Sequence, residues 1–95
     1  MRFEWDETKN RSNLRKHGIS FATATRVFED TNYGMEQDRE IDGEERWQTI
    51  GRIGDLMVLL VAHTVVDDED DVIFRIISAR RATAHERRRY EAKTD

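Results

Sequence analysis

The sequence predicts an α+β domain in which one antiparallel β-sheet packs with two N-terminal helices and one C-terminal helix. Three observations support this class: helical patterning is confined to the two ends of the chain, strand-like apolar runs fill residues 46–79, and the turns between those runs are short and polar. With 95 residues, no proline and 5 glycines, the chain offers no linker. We therefore expect a single domain over residues 1–95.

The N-terminal part predicts a short strand followed by two helices. Phe3 and Trp5 flank one polar residue, as in a strand with one apolar face. Asp6 suits the N-cap of a first helix, and Gly18 suits the left-handed position that ends it. Ser20 then caps a second, shorter helix that runs to about residue 29. Its apolar residues recur at helical spacing: Phe21, Ala24, Val27 and Phe28.

The middle of the chain predicts the first strands of the sheet. Residues 30–43 are strongly acidic and predict a loop that contains at most an edge strand. Residues 46–50 have strand character and end at a glycine-containing turn. Residues 56–63 are apolar at nearly every position, which is typical of a strand buried on both faces. This strand should be central.

The last third predicts a hairpin and a helix. An acidic turn at residues 67–71 joins the central strand to a second apolar strand at residues 72–79, as in an antiparallel hairpin. Thr83 and Glu86 then have the spacing of a capping box, so a C-terminal helix should begin there.

Charge is segregated along the chain, although the net charge is only -4. Residues 28–45 and 67–71 are acidic, whereas residues 75–89 are rich in arginine. The basic end could hold a polyanion while the acidic middle repels it, or the acidic middle could hold a cationic partner. Solvated charged faces are the plainer alternative.

Several classes of function are disfavoured. The chain has no cysteine, which excludes disulfides and thiolate zinc sites, and it has no glycine-rich phosphate loop. The run from Asp67 to Asp71 fails as a calcium loop because Val72 occupies the position that needs glycine. The three histidines lie on different predicted elements, so we expect neither a metal site nor a cofactor. No apolar stretch is long enough to span a bilayer, and the expected location is the cytoplasm.

The remaining side chains are sufficient for metal-independent RNA cleavage. That reaction needs a proton acceptor for the ribose 2′-hydroxyl, a proton donor for the leaving oxygen and cations around the phosphoryl oxygens. Arg75 interrupts an apolar strand, and a regular strand would place Arg80 on its opposite face. His63 ends the central strand, and imidazole suits proton transfer at neutral pH. Glu45 is an alternative base.

Each candidate also has a structural alternative. Arg75 could pair with a carboxylate, and His63 could be a hydrogen-bonded residue at the end of its strand. Trp47 could pack on the sheet instead of stacking on a base, and Tyr90 could anchor the last helix instead of donating to a phosphate.

Two blocks of residues, spread over nearly the whole chain, form a specific combination. The N-terminal block comprises Phe3-Glu4-Trp5-Asp6, Lys9, Asn13, Lys16-His17-Gly18-Ile19-Ser20-Phe21, Ala24, Phe28 and Asp30. The second block comprises Gly43-Glu44, Arg46-Trp47, Gly51, Arg75-Ile76-Ile77-Ser78-Ala79-Arg80, Ala82, Glu86-Arg87 and Tyr90. Together they resemble the BrnT family of toxins.

The resemblance implies a RelE-like fold and a ribonuclease toxin of a type II toxin–antitoxin pair, which cleaves RNA and inhibits translation. It implies a BrnA-type ribbon-helix-helix antitoxin, a heterotetramer with that antitoxin, and DNA contact only through the antitoxin. By the same resemblance we expect catalytic roles for Arg75, Arg80 and His63. The residues expected to bind RNA are Lys16, His17, Trp47, Arg81 and Tyr90. The alternative function is a non-catalytic regulatory subunit whose acidic surface holds a basic partner.

Overall fold

A five-stranded sheet forms the centre of the computed structural model, which describes residues 1–92. In chain order the elements are β1 (Arg2–Trp5), α1 (Glu7–His17), α2 (Phe21–Ala24), a 3₁₀ helix (Thr25–Glu29), β2 (Gly34–Ile41), β3 (Glu44–Ile53), β4 (Met57–Asp68), β5 (Asp71–Arg81) and α3 (Ala84–Ala92). The strand order is β1-β5-β4-β3-β2, so the apolar strand β4 is central, as predicted. The α+β class is therefore confirmed.

The sheet is mixed and not purely antiparallel. β1 runs parallel to β5, whereas the other neighbouring strands are antiparallel. The expectation of an antiparallel sheet was wrong for β1. This strand pairs with β5, which is distant in the sequence, so no hairpin turn sets the relative direction of the two strands. No helix within residues 1–92 is long and apolar enough to cross a membrane.

The first two helices and the 3₁₀ helix pack on one face of the sheet, which we call the helical face. Asp6 accepts hydrogen bonds from the first turn of α1, and Gly18 ends that helix with φ 72°, so both predicted caps are confirmed. The core lies between these helices and the sheet, and its largest fully buried apolar members are Phe21, Leu59, Ile76, Val27 and Val61. Tight packing is clearest at Gly51, where an added Cβ would lie 2.8 Å from the Val27 carbonyl oxygen.

The side chain of Asn13 completes the sheet where β1 ends. Asn13 is 7% exposed; its amide nitrogen donates to the carbonyls of Ile19 and Ala79, and its oxygen accepts from the Ala79 amide. A residue of α1 therefore takes the place of a neighbouring strand beside β5. Unpaired backbone groups would otherwise be buried there.

A bulge in β5 changes which residues share a face. His63 lies opposite Ile76, but Ala62 lies opposite Ser78, so Ile77 is the extra residue. The alternation shifts by one at this point, and Arg75 and Arg80 lie on the same face. The expectation of opposite faces assumed a regular strand and was wrong. We call this second face the open face.

The acidic segments form hairpins that are longer than predicted. Residues 34–41 form β2 at the edge of the sheet, where mostly a loop was expected. Asp42 and Gly43, with φ 52° and 80°, make the two-residue turn to β3. The predicted turn at residues 67–71 shrinks to Glu69 and Asp70, because the outer acids continue the two strands.

Candidate nucleic-acid interface

Three neighbouring strands place a row of side chains across the open face. Thr64 lies opposite Arg75, and extending the register of β3 and β4 by one residue places Arg46 beside Thr64. Residues that face each other across a sheet point to the same side. Thr64, between the two arginines in this row, is only 4% exposed. We call Arg46, Thr64 and Arg75 the arginine row. Neighbouring strands are about 4.8 Å apart, so the backbones of Arg46 and Arg75 are about 10 Å apart across the strand that carries Thr64.

Neither of these two arginines is held through two hydrogen bonds by a carboxylate of residues 1–92. Within residues 1–92, Arg75 makes no ion pair or hydrogen bond, and the residue is exposed. Its charge acts on Asp6, whose pKa is lowered chiefly by the hydrogen bond from the Lys9 amide and to a smaller extent by Arg75. The Nε of Arg46 lies 3.3 Å from Glu44 Oε1, but this buried nitrogen makes no aligned hydrogen bond. Guanidinium groups in this state are available to oxygen atoms of a phosphate, which they bind through two parallel hydrogen bonds.

Arg80 shares the open face but is held by a carboxylate. Its Nη1 and Nη2 donate to the two oxygens of Glu86 at 2.8 and 3.0 Å, and Glu86 also accepts from the Thr83 amide. The Arg80 guanidinium lowers the pKa of Glu86 to about 2, and the ion pair raises the pKa of Arg80. The predicted capping box is confirmed, whereas the arginine predicted as catalytic fixes α3 to the sheet.

Tyr90 anchors α3 to the rest of the fold. It is 4% exposed, and its hydroxyl donates to Asp30, which also accepts from the Arg52 amide at 2.8 Å. Burial, followed by the hydrogen bond to this carboxylate, raises the pKa of Tyr90 to about 12. The pairing of β2 with β3 ends at Ile50, so the Arg52 amide at the end of β3 is free to bind Asp30. Through Asp30, the segment that follows the 3₁₀ helix is linked to Tyr90 of α3. The structural alternative for Tyr90, an anchor for the last helix, is therefore confirmed, and its predicted RNA contact stays a prediction.

His63 belongs to the core. It is fully buried; its Nε2 lies 2.7 Å from the Thr49 hydroxyl, and its ring packs edge-on against Phe28 and Phe74. Burial lowers the pKa of the imidazole. No substrate atom can reach the ring in this arrangement, so the structure does not support a proton-transfer role for His63.

The other predicted RNA contacts lie away from the arginine row. Trp47 faces His63 across the strands and so lies on the helical face, as does Arg81, which faces the core residue Leu59. Lys16 and His17 end α1, the helix that packs against β5 on that side. None of these four shares a face with Arg75. The alternative base Glu45 alternates with Arg46 and also points to the other face.

Sequence reasoning missed Arg46 and Gln48 as members of this face. Both belong to β3, where alternation places them on the side opposite Trp47. The sequence did offer one signal for Arg46, since an arginine at the start of a half-buried strand is a candidate for an exposed binding residue. The face also carries Glu4, which pairs in register with Arg75, and Glu36, which pairs with Gln48. In the described part of the chain, no group of three or more acidic or histidine side chains could hold a metal ion.

The fold and this face define a small α+β domain whose five-stranded sheet carries Arg46 and Arg75 on one face. Residues 5–86 match the model of a family described as "Ribonuclease toxin, BrnT, of type II toxin-antitoxin system", and the chain belongs to that family. The structure is similar to the crystal structure of the Brucella abortus ribonuclease toxin, BrnT, with a TM-score of 0.63 and 27% sequence identity over 87% of this chain and 97% of the other. No curated protein matched the sequence.

Proposed function

We propose that this toxin cleaves RNA on the open face by metal-independent transesterification, and that the scissile phosphate binds between Arg46 and Arg75. The observation that carries the proposal is the pair of arginines on either side of the buried Thr64, neither of which is held through two hydrogen bonds by a carboxylate of residues 1–92. A diester beside them would receive donors on two sides, and each such donor is worth roughly 10²–10³ in rate.

The chemistry is a displacement within the RNA chain. The ribose 2′-oxygen forms a bond to phosphorus, and the bond from phosphorus to the 5′-oxygen breaks, which leaves a 2′,3′-cyclic phosphate and a 5′-hydroxyl. The 2′-proton goes to a base, and the 5′-oxygen takes a proton from solvent. Negative charge grows on the phosphoryl oxygens during this step, so fixed cations stabilise the transition state more than the ground state.

Glu4 is the base that best fits this geometry. It lies on β1, in register with Arg75, and within residues 1–92 its only ion pair is a long contact of 3.8 Å with Arg2. A carboxylate next to the phosphate-binding arginine can take the 2′-proton directly or through one water. It replaces His63 and Glu45 in this role.

The reaction is tested by incubating the purified chain with RNA in excess EDTA, with and without ribosomes. We expect cleavage in EDTA and products with 2′,3′-cyclic phosphate and 5′-hydroxyl ends. Arg46→Ala should slow the reaction about 10²-fold. The matched control Arg39→Ala removes an arginine that is 74% exposed on the edge strand, and it should leave the rate unchanged. Absence of cleavage in every condition would favour a non-catalytic binding subunit.

We further propose that a BrnA-type antitoxin neutralises the toxin in the cytoplasm, within a heterotetramer that contacts DNA only through the antitoxin. The β2–β3 hairpin supports a basic partner, because its exposed acids outnumber its bases: Glu36, Asp38, Glu40, Asp42, Glu44 and Glu45 against Arg39 and Arg46. Charge of this kind steers association and is screened by salt. The affinity of the complex, measured by calorimetry, should fall between about 0.05 M and about 0.5 M salt. An affinity that does not change with salt would point to an apolar interface.

A further inference from the structure

A cleft lies on the open face between α3 and the outer strands, next to the arginine row. Its volume is about 90 Å³, and it is open to solvent. Its floor is apolar and comes from Gly34, Ile50 and Leu60, which lie side by side on β2, β3 and β4. An apolar floor with a few polar groups at the rim is typical of a site for a flat organic ring.

Three polar side chains line this cleft and have no partner among the described residues. Glu36 and Gln48 pair in register on β2 and β3, and Arg89 comes from α3. Within residues 1–92, none of the three makes a side-chain hydrogen bond or an ion pair, although a carboxylate and a guanidinium line the same cleft. A carboxylate, an amide and a guanidinium together offer both acceptors and donors to a ligand.

We propose that this cleft binds a guanine base of the RNA, next to the scissile phosphate. Guanine presents two N–H donors at N1 and N2, which suit the Glu36 carboxylate, and two acceptors at O6 and N7, which suit Arg89. Gln48 can donate to or accept from the same base edges. Bases of single-stranded RNA are read in this way, splayed out of the stack and hydrogen-bonded on their edges.

The distance from the cleft to the arginine row is similar to the distance between the base and the phosphate of one nucleotide. Gln48 and Arg46 are two residues apart on β3, about 7 Å along the strand. A base in the cleft would therefore belong to a nucleotide whose phosphate reaches Arg46 and Arg75. The inference rests on the proposed function for its ligand, and it adds the sequence preference of cleavage.

Binding of nucleotides tests this without any need for catalysis. The full chain is titrated with the 3′-monophosphates of guanosine, inosine, adenosine, cytidine and uridine, and with inorganic phosphate, and binding is followed by calorimetry and by the NMR signals of the Gln48 side-chain amide. We expect the guanosine nucleotide to bind about tenfold more tightly than the adenosine, cytidine and uridine nucleotides. Inosine lacks the N2 amine and should fall in between.

A pair of isosteric variants then locates the contact. Glu36→Gln should abolish the preference for guanosine, whereas the matched control Glu40→Gln, on the same exposed strand but outside the cleft, should keep it. Equal or undetectable binding of all nucleotides, or a preference that survives Glu36→Gln, would overturn the inference. Specific guanosine binding by a chain that cuts no RNA would sustain the inference and refute the proposed function. RNA cleavage without base preference would sustain the proposed function and refute the inference.

Discussion

The ion pair between Arg80 and Glu86 should fix α3 to the sheet, and Glu86→Gln tests this. The variant keeps the shape of the side chain and one acceptor oxygen, but it removes the charge that binds Arg80 through two hydrogen bonds of 2.8 and 3.0 Å. We expect lower stability at neutral pH and a weaker dependence of stability on pH.

The magnitude follows from the pKa of Glu86, which falls from its ordinary 4.5 to about 2 in the folded chain. A shift of that size corresponds to at most about 3 kcal/mol, and because the Arg80 side chain is 39% exposed, solvent screening reduces the expected value to about 1–2 kcal/mol. Since the folded pKa is depressed, this stability is present above pH 4.5 and is lost as the pH falls from about 5 to about 2.

Urea unfolding at pH 7 and at about pH 3 measures the effect for the wild type, Glu86→Gln and the exposed control Glu40→Gln. The difference between wild type and Glu86→Gln should be clear at pH 7 and should shrink by more than half at the lower pH. A difference that stays constant with pH, or one that Glu40→Gln reproduces, would show that Arg80 is not held by Glu86.

Three further predictions concern residues that the structure assigns to stability. Asn13→Ala should lower the free energy of unfolding by about 3 kcal/mol in urea titrations, because three backbone groups, two of them on Ala79, lose their partner; a loss below about 0.5 kcal/mol would contradict that role. Tyr90→Phe should lower the free energy of unfolding by about 1–2 kcal/mol, because the hydrogen bond to Asp30 is lost, and RNA cleavage should continue. A cleavage defect in the folded variant would show that the Tyr90 hydroxyl takes part in the reaction. Because the folded chain keeps His63 neutral, its stability should fall as the pH drops below about 6.5, and His63→Gln should lack this component in unfolding measured from pH 7 to pH 5.

Local signals in the sequence predicted much of the fold. Asp6, Gly18 and Ser20 act through backbone groups within three or four residues, so their roles as caps can be seen without tertiary structure. The same holds for the capping box that begins α3. The Asp-Gly turn at residues 42–43 was an equally local signal for the β2–β3 hairpin, and the acidic composition of residues 30–43 obscured it.

The candidate site was harder to predict because it depends on register between distant strands. The bulge at Ile77 brings Arg75 and Arg80 to one face, and nothing in residues 72–81 alone specifies it. His63 also could not be assigned from its neighbours, since its burial depends on Phe28 of the 3₁₀ helix and Phe74 of β5. Arginine pairing is decided in the same way, by whether a carboxylate such as Glu86 arrives from another element.

The central claim is that RNA is cleaved on the open face, and a comparison of the two faces tests it most directly. RNA cleavage by purified Arg75→Ala is compared with that by Lys16→Ala, since both residues are exposed cations on opposite sides of the sheet. We predict a loss of roughly 10²-fold or more for Arg75→Ala and wild-type cleavage for Lys16→Ala, with both variants folded. Full activity of Arg75→Ala together with a loss in Lys16→Ala would place the reaction on the helical face and contradict the account.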